Sequence, residues 1–160
     1  MNNRTMVERT SEREVVVTRT FNGPAHMVFE AWTKAELMKL WWAPKSMGVP
    51  LRACEMDVRV GGGYRLEFGH DAENVMAFFG RYLEVIPPSR IVWTNEEDGE
   101  DGAVTTVTFE DQGGATRVVV HELYPSKEAL DEAMVSGSTG GWGEQFEQLD
   151  ALLATLGASA

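Results

Sequence analysis

The residues able to do chemistry are few and scattered. Gly61, Gly62 and Gly63 stand in DVRVGGGYR (57–65), where a glycine run could cradle a phosphate. A dinucleotide fingerprint requires G-x-G-x-x-G between a strand and a helix, so that the helix N-terminus meets the pyrophosphate. Here the third position holds Leu66, and Tyr64, Leu66 and Phe68 alternate with Arg65 and Glu67 as in a strand. No Gly-Lys-Ser/Thr follows. The glycines therefore read as a tight hairpin or bulge that needs positive φ.

The histidines are His26, His70 and His121, and no H-E-x-x-H or other close pair joins them. His70, Asp71 and Glu73 could touch a cation, but they lie in the polar stretch GHDAEN, which reads as a solvated turn. No metal site is expected. None of Ser46, Ser89, Ser126, Ser136 and Ser138 sits in a G-x-S-x-G elbow. Cys54 is the single cysteine, so there is no intrachain disulfide and no cysteine-based metal cluster. With no base beside it in sequence, it reads as a packing residue. Nothing calls for a cofactor.

Aromatic residues are the remaining group. Trp32, Trp41, Trp42, Trp93 and Trp142 are five tryptophans in 160 residues. They either fill a core or, with Tyr, Phe and Met, line an apolar ligand pocket.

The elements that must position them follow from periodicity. Residues 1–11 are polar and of mixed charge, and are expected to form a flexible tail. EVVVTRTF (14–21) is β-branched and reads as a strand. Pro24 suits a helix start, with Asn22 or Gly23 as cap. AHMVFEAWT follows as a helix, and a second short helix runs from Lys34 to Trp42, stopped by Pro44. From about Arg52 to Tyr124 the signals are mostly strand, including Met76–Ile86, Arg90–Asn95, Ala103–Glu110 and Thr116–Tyr124. EEDGEDG (96–102) reads as a solvated loop, and DQGG (111–114) as a hairpin turn. Ser126 is placed to cap the helix KEALDEAMV. Trp142, Phe146, Leu149, Leu153 and Leu156 then form one apolar stripe on a long C-terminal helix. Such a helix belongs on the concave face of a curved antiparallel sheet. The fold class is α+β, with the domain expected over 12–157.

Composition narrows the partners. Lys plus Arg number 14 against 25 Asp plus Glu, a formal charge of −11. That charge repels nucleic-acid phosphates and anionic lipid, so neither nucleic acid nor membrane is an expected partner. No run approaches the roughly 20 apolar residues of a membrane span. The N-terminus lacks the apolar core of a secretory signal, so a cytoplasmic protein is expected.

Five stretches in order, FNGPAHMVFEAWTKAELMKLWWAP, DVRVGGGYR, FFGRYLEVIPPSRIVWT, GGATRVVVHELYPSKEA and GGWGEQFEQLDALLA, make the chain resemble a known family. It is the START-like (SRPBCC) superfamily, in the branch named for homologues of the activator of the heat-shock-protein-90 ATPase. The resemblance covers about Val15 to Leu156. It implies a helix-grip fold: a curved antiparallel sheet around a long C-terminal helix, with two short helices after the first strand. It also implies a cavity between sheet and helix that holds a small apolar or aromatic molecule. The cavity candidates are Trp41, Trp42, Arg59, Tyr64, Leu66, Phe68, Phe78, Arg81, Trp93, Glu122, Trp142 and Phe146.

Period alone leaves open which strand face looks inward. If Val118 and Val120 face the helix, Glu122 is inside and His121 outside. An inward Glu122 needs a partner, and Arg59 or Arg81 could serve. Three functions are consistent with the resemblance. They are binding of a small apolar ligand, a cyclase or dehydratase acting on a polyketide-like or lipid substrate, and a co-chaperone role. The last is weakened because the chain lacks the additional N-terminal domain of such activators. A homodimer is compatible with an isolated domain of this kind.

Overall fold

Alternation builds the sheet. In β2 (Glu14–Phe21), Val15, Val17, Arg19 and Phe21 are buried while the residues between them keep partial exposure. A computed structural model of the chain describes residues 5–43, 48, 50–69, 73, 76–96, 102–136 and 142–158. Eight strands form one antiparallel sheet in the order β1-β2-β8-β7-β6-β5-β4-β3. The others are β1 (Met6–Arg9), β3 (Leu51–Met56), β4 (Gly63–Phe68), β5 (Met76–Ile86), β6 (Arg90–Thr94), β7 (Val104–Asp111) and β8 (Thr116–Leu123). The helices are α1 (Ala25–Thr33), α2 (Ala35–Trp41), α3 (Lys127–Ser136) and α4 (Trp142–Ala158). This is the helix-grip arrangement: α1 and α2 carry the chain from β2 to the far edge, and the strands return as a meander.

Residues 6–9 correct the expectation of a wholly flexible tail. They pair with β2 from Met6 opposite Thr18 to Arg9 opposite Val15. The outer edge of β2 would otherwise present unpaired N–H and C=O groups. An edge strand needs no apolar face, so the mostly exposed MVER can serve. Arg9 pins the strand to α3 through Asp131 at 2.8 Å.

Helix ends follow their local chemistry. Asn22 and Gly23 do not cap α1; Pro24 occupies the N-cap position without a side-chain bond. Its carbonyl accepts from Met27 N at 3.0 Å and Val28 N at 3.2 Å. Ser126 Oγ does accept from Ala129 N at 3.1 Å, as expected of a cap. The last carbonyls of α2 lack intrahelical donors. Gln148 Nε2 donates to Trp41 O at 2.9 Å and Gln145 Nε2 to Trp42 O at 2.6 Å, so α4 fixes where both tryptophans sit. Pro44, His70, Asp71 and most of the acidic loop lie outside the described residues, as do Ser46 and Ser138.

The glycine run is a turn. Gly61 has φ +85°. Gly61 N donates to Tyr82 O at 2.9 Å and Tyr82 N to Gly62 O at 2.8 Å, so the hairpin end stays paired with β5. A Cβ on Gly62 would lie 2.1 Å from Asp57 O.

α4 lies against the concave face. Trp142, Phe146, Leu149 and Leu153 are buried there, with Leu156 half-buried at the end of the stripe. Phe146 meets Phe21 edge-on at 5.2 Å, and Arg19 reaches Asp150 at 3.3 Å.

Candidate functional site

The interior is organised around Trp32. α1 buries its apolar face, and Trp32 on that face is 1% exposed. Its ring lies 4.9 to 6.2 Å from those of Trp41, Trp42, Trp93, Phe109, Trp142 and Phe146, mostly edge-on. Such pairs contribute about 0.5–1.5 kcal/mol each beyond burial. The gap expected under the long helix is therefore occupied at its centre by this indole. The Trp41 indole donates to Ala31 O at 3.0 Å. The Trp32 indole nitrogen is buried with no hydrogen-bond partner among the described residues.

Toward β3 and β4 the core is left incomplete. Trp42, Cys54, Met56, Val58 and Tyr64 all pack against the core cluster, yet all stay half-buried. Tyr64 is 5.8 Å from Tyr82 and 6.4 Å from Trp93. Its hydroxyl donates to Thr94 O at 2.7 Å. Gly80 makes this possible, because a Cβ there would lie 1.9 Å from the same carbonyl and 3.0 Å from the Tyr64 hydroxyl. Beside Tyr64 an open groove of about 410 Å³ is lined by Glu55, Met56, Asp57, Gly63 and Arg65.

A polar row crosses this aromatic surface. Strand register sets Val15, Glu122, Thr105, Trp93 and Tyr82 side by side on β2, β8, β7, β6 and β5. Asn95 Nδ2 donates to Thr105 Oγ1 at 3.0 Å, and the Thr105 hydroxyl bonds the Glu122 carboxyl. Trp142 Nε1 donates to Glu122 Oε1 at 3.3 Å. Burial pushes the Glu122 carboxyl up to about 7, against the pull of the two hydrogen bonds and of His121. At neutral pH this group is divided between acid and carboxylate. Val118 and Val120 are fully buried, so Glu122 is on the inner face; His121 is on the outer face with Glu14 at 3.1 Å. Burial also pushes the Cys54 thiol up to about 11, which keeps it neutral and poorly nucleophilic. Burial likewise raises the Tyr82 hydroxyl, with Cys54 and Asp57 adding to the shift.

The candidates named from sequence divide accordingly. Trp41, Trp42, Tyr64, Trp93, Glu122, Trp142 and Phe146 belong to one connected surface. Leu66 and Phe68 are buried on the face of β4 shared with Tyr64, but stand outside the core cluster. Phe78 is half-buried, edge-on to Phe68 at 5.5 Å. Arg59 and Arg81 are on the surface rather than inside, at 2.8 Å from Asp57 and 3.0 Å from Glu96. Neither serves Glu122; its hydrogen bonds come from a tryptophan and a threonine. Thr105 and Asn95 were not named in advance. The available signal was Thr105 sharing the alternation of Val107 and Phe109 in β7. Among the described residues no cluster of metal-binding side chains occurs, and no helix is long and apolar enough to cross a membrane.

Solved structures share the fold. A protein of Rhodobacter sphaeroides superposes with TM-score 0.86 at 21% identity, over 95% of this chain and 99% of its own. A protein of Nitrosomonas europaea gives TM-score 0.81 at 23% identity, over 94% and 99%. An AHSA1-like protein of Aeromonas hydrophila gives TM-score 0.69 at 18% identity, over 89% and 94%. No curated protein matches the chain by sequence. The family model described as Activator of Hsp90 ATPase homolog 1-like protein matches residues 22–154, and the chain belongs to that family.

Proposed function

We propose that the protein binds a small apolar or aromatic molecule where its core is left incomplete. One observation carries this: Trp42, Cys54, Met56, Val58 and Tyr64 pack against the buried core cluster but are only partly covered by the rest of the chain. An aromatic wall with a few convergent polar groups is the usual make-up of a small-molecule site. Glu122, Thr105 and Tyr64 supply those groups. The ligand would stack on Trp42 and Tyr64, while Trp32, Trp41 and Phe146 form the rigid floor behind them.

The test is a thermal-shift and tryptophan-fluorescence screen with flavonoids, polyketide-like aromatics and fatty acids. A hit should raise Tm and quench fluorescence, and Trp42→Ala and Tyr64→Ala should each weaken it at least tenfold. A hit that both variants bind as well as the wild type places the site elsewhere.

The Glu122 carboxyl supports a second reading, an enzyme of cyclase or dehydratase type. A group poised near neutrality can both give and take a proton. Glu122→Gln would then abolish turnover of a bound polyketide-like substrate while its binding persists. Unchanged turnover in that variant removes the reading.

A further inference from the structure

Among the described residues, the hydrogen bonds around Glu122 run toward its carboxyl. Asn95 Nδ2 donates to Thr105 Oγ1 at 3.0 Å, the Thr105 hydroxyl bonds the carboxyl, and Trp142 Nε1 donates to Oε1 at 3.3 Å. Asn95 Nδ2 also donates to Ala103 O at 2.9 Å, which fixes the direction of the chain. A carboxylate only accepts, so the ionised group satisfies this pattern as it stands. A protonated carboxyl brings a donor of its own. An indole N–H cannot accept it, and the Thr105 hydroxyl can do so only by turning its own hydrogen elsewhere. The hydrogen bonds therefore suit the carboxylate, whereas burial favours the acid and pushes the group up to about 7. Near neutrality the two tendencies balance, and pH decides between them.

Neighbouring elements add little charge to that balance. From β2 the residue beside Glu122 is Val15, and from β7 it is Thr105. From α4 it is Trp142, with Glu144 of that helix lining an outer groove. His121 pulls the carboxyl down from the opposite face of the sheet, where it meets Glu14 at 3.1 Å. Lys39 of α2 acts at Cys54, and Lys127 of α3 pairs with Asp131 at 2.8 Å. What the carboxyl holds is a wall of the proposed site. The buried Trp142 ring stands edge-on to Trp42 at 5.7 Å and stacks on Trp32 at 6.2 Å. Gln145, on the same turn of α4, donates to Trp42 O at 2.6 Å. At the other wall Asn95 Oδ1 lies 3.4 Å from the Tyr64 hydroxyl. One chain of hydrogen bonds and ring contacts thus joins Trp42 to Tyr64, with Glu122 in its middle.

We infer that Glu122 is a positioning residue through which protons gate the site: as a carboxylate it holds Trp142, and through it Trp42, in the arrangement that accepts a ligand, and as an acid it loosens both. Hydrogen bonds to an ionised group are about twice as strong as those between neutral groups. Contact between ligand and carboxyl is not required. The inference rests on the binding reading above and adds its regulation, with tighter binding on the alkaline side of neutrality.

A probe without a titrating group tests it: naphthylmethanol, titrated by fluorescence into the full chain at pH 6 and pH 8. The ionised fraction of a carboxyl centred near pH 7 rises from about a tenth to about nine-tenths over this range. Affinity should follow it, rising by about threefold to tenfold. The tryptophan emission of the ligand-free protein should show a transition near pH 7, and saturating probe should move that midpoint to lower pH. In Glu122→Gln the amide oxygen still accepts both bonds but does not titrate. Its affinity should be the same at both pH values, and the emission transition should vanish. Trp142→Phe keeps a ring and removes the N–H, and should flatten the affinity profile as well; it decides the matter if Glu122→Gln does not fold. His121→Gln removes the other proton-exchanging side chain nearby and should leave the profile in place. Equal wild-type affinity at pH 6 and pH 8, or a profile that survives in Glu122→Gln or disappears in His121→Gln, overturns the gate and leaves apolar binding standing. If naphthylmethanol binds at neither pH, the proposed site falls and the gate with it.

Discussion

The two ends of the concave face use the same residue types for opposite purposes. At the end under the middle of α4, Phe21, Val17, Phe146, Leu149 and Leu153 are at most 1% exposed, and the one charge among them, Arg19, is tied to Asp150. At the other end Trp42, Tyr64, Met56 and Cys54 remain half-covered, and Glu122 has no ion pair among the described residues. Aromatic content therefore does not distinguish core from site in this chain; completeness of coverage does. A closed face returns its full burial energy to folding, roughly 25 cal/mol per Å². An open one withholds part of that energy until something else covers it.

The largest expected effect tests the closed end. Phe146→Ala should cost about 3–5 kcal/mol, as for other buried aromatics cut to alanine, and should lower the denaturation midpoint accordingly. Trp42→Ala removes a larger side chain, yet should cost only about 1–2 kcal/mol because half of it is already in water. Guanidinium titrations of the two variants check the pair. Equal losses would mean that the open end is packed as tightly as the closed one.

Gly80 leaves the space in which the Tyr64 hydroxyl meets the Thr94 carbonyl, and its substitution should have the next largest effect. Alanine would drive Cβ against the Thr94 carbonyl, 1.9 Å away. The expected loss is about 3 kcal/mol, the upper end of overpacking costs. The loss should be accompanied by weaker binding of any ligand at Tyr64, because the hydroxyl that meets that carbonyl is displaced with it.

Most of the closed end was legible in sequence and much of the open end was not. The stripe from Trp142 to Leu153 and the valines of β8 follow single periods, and one period suffices to say which face is buried. α1 likewise occupies the residues its apolar pattern marks. Glu122 depends on Trp142 and Thr105, which come from two other elements, so no local pattern could name its partners. Arg81 shows a different limit. It alternates with Phe78, Gly80 and Tyr82, so period alone puts it on the opposite face from them but does not say which of the two faces looks inward. β1 was missed because an edge strand needs backbone partners rather than apolar side chains.

Glu122→Gln should have a smaller effect on stability, with a sign that depends on pH. The carboxyl of the folded protein titrates near 7, above its ordinary value of 4.5. Below 4.5 both folded and unfolded states hold the proton, and the variant should match the wild type. As pH rises from 4.5 to 7 the unfolded chain releases its proton first, so the wild type loses stability. The variant escapes this loss and should be more stable by up to about 3 kcal/mol above pH 7. Stability differences between the two proteins measured from pH 4 to 8 provide the check. A flat difference would show that Glu122 is solvated as an ordinary surface carboxylate, and the contrast between the two ends would lose its electrostatic half.

Tyr64→Phe probes the open end at its finest. The change deletes one oxygen and leaves the ring against Tyr82 and Trp93. The hydroxyl's main bond is to the Thr94 carbonyl, and a net hydrogen bond of this kind is worth about 1 kcal/mol. The ring is only half-buried, so water can replace part of that bond, and the loss in stability should be below 1 kcal/mol. Binding gives the sharper readout. If the hydroxyl only holds the ring in place, an apolar ligand should bind Tyr64→Phe within about threefold of wild type, whereas Tyr64→Ala loses the stacking surface and most of the affinity. A ligand that loses as much with phenylalanine as with alanine would show that the hydroxyl bonds the ligand directly. The open end would then recognise shape and a hydrogen bond together, where the closed end uses shape alone.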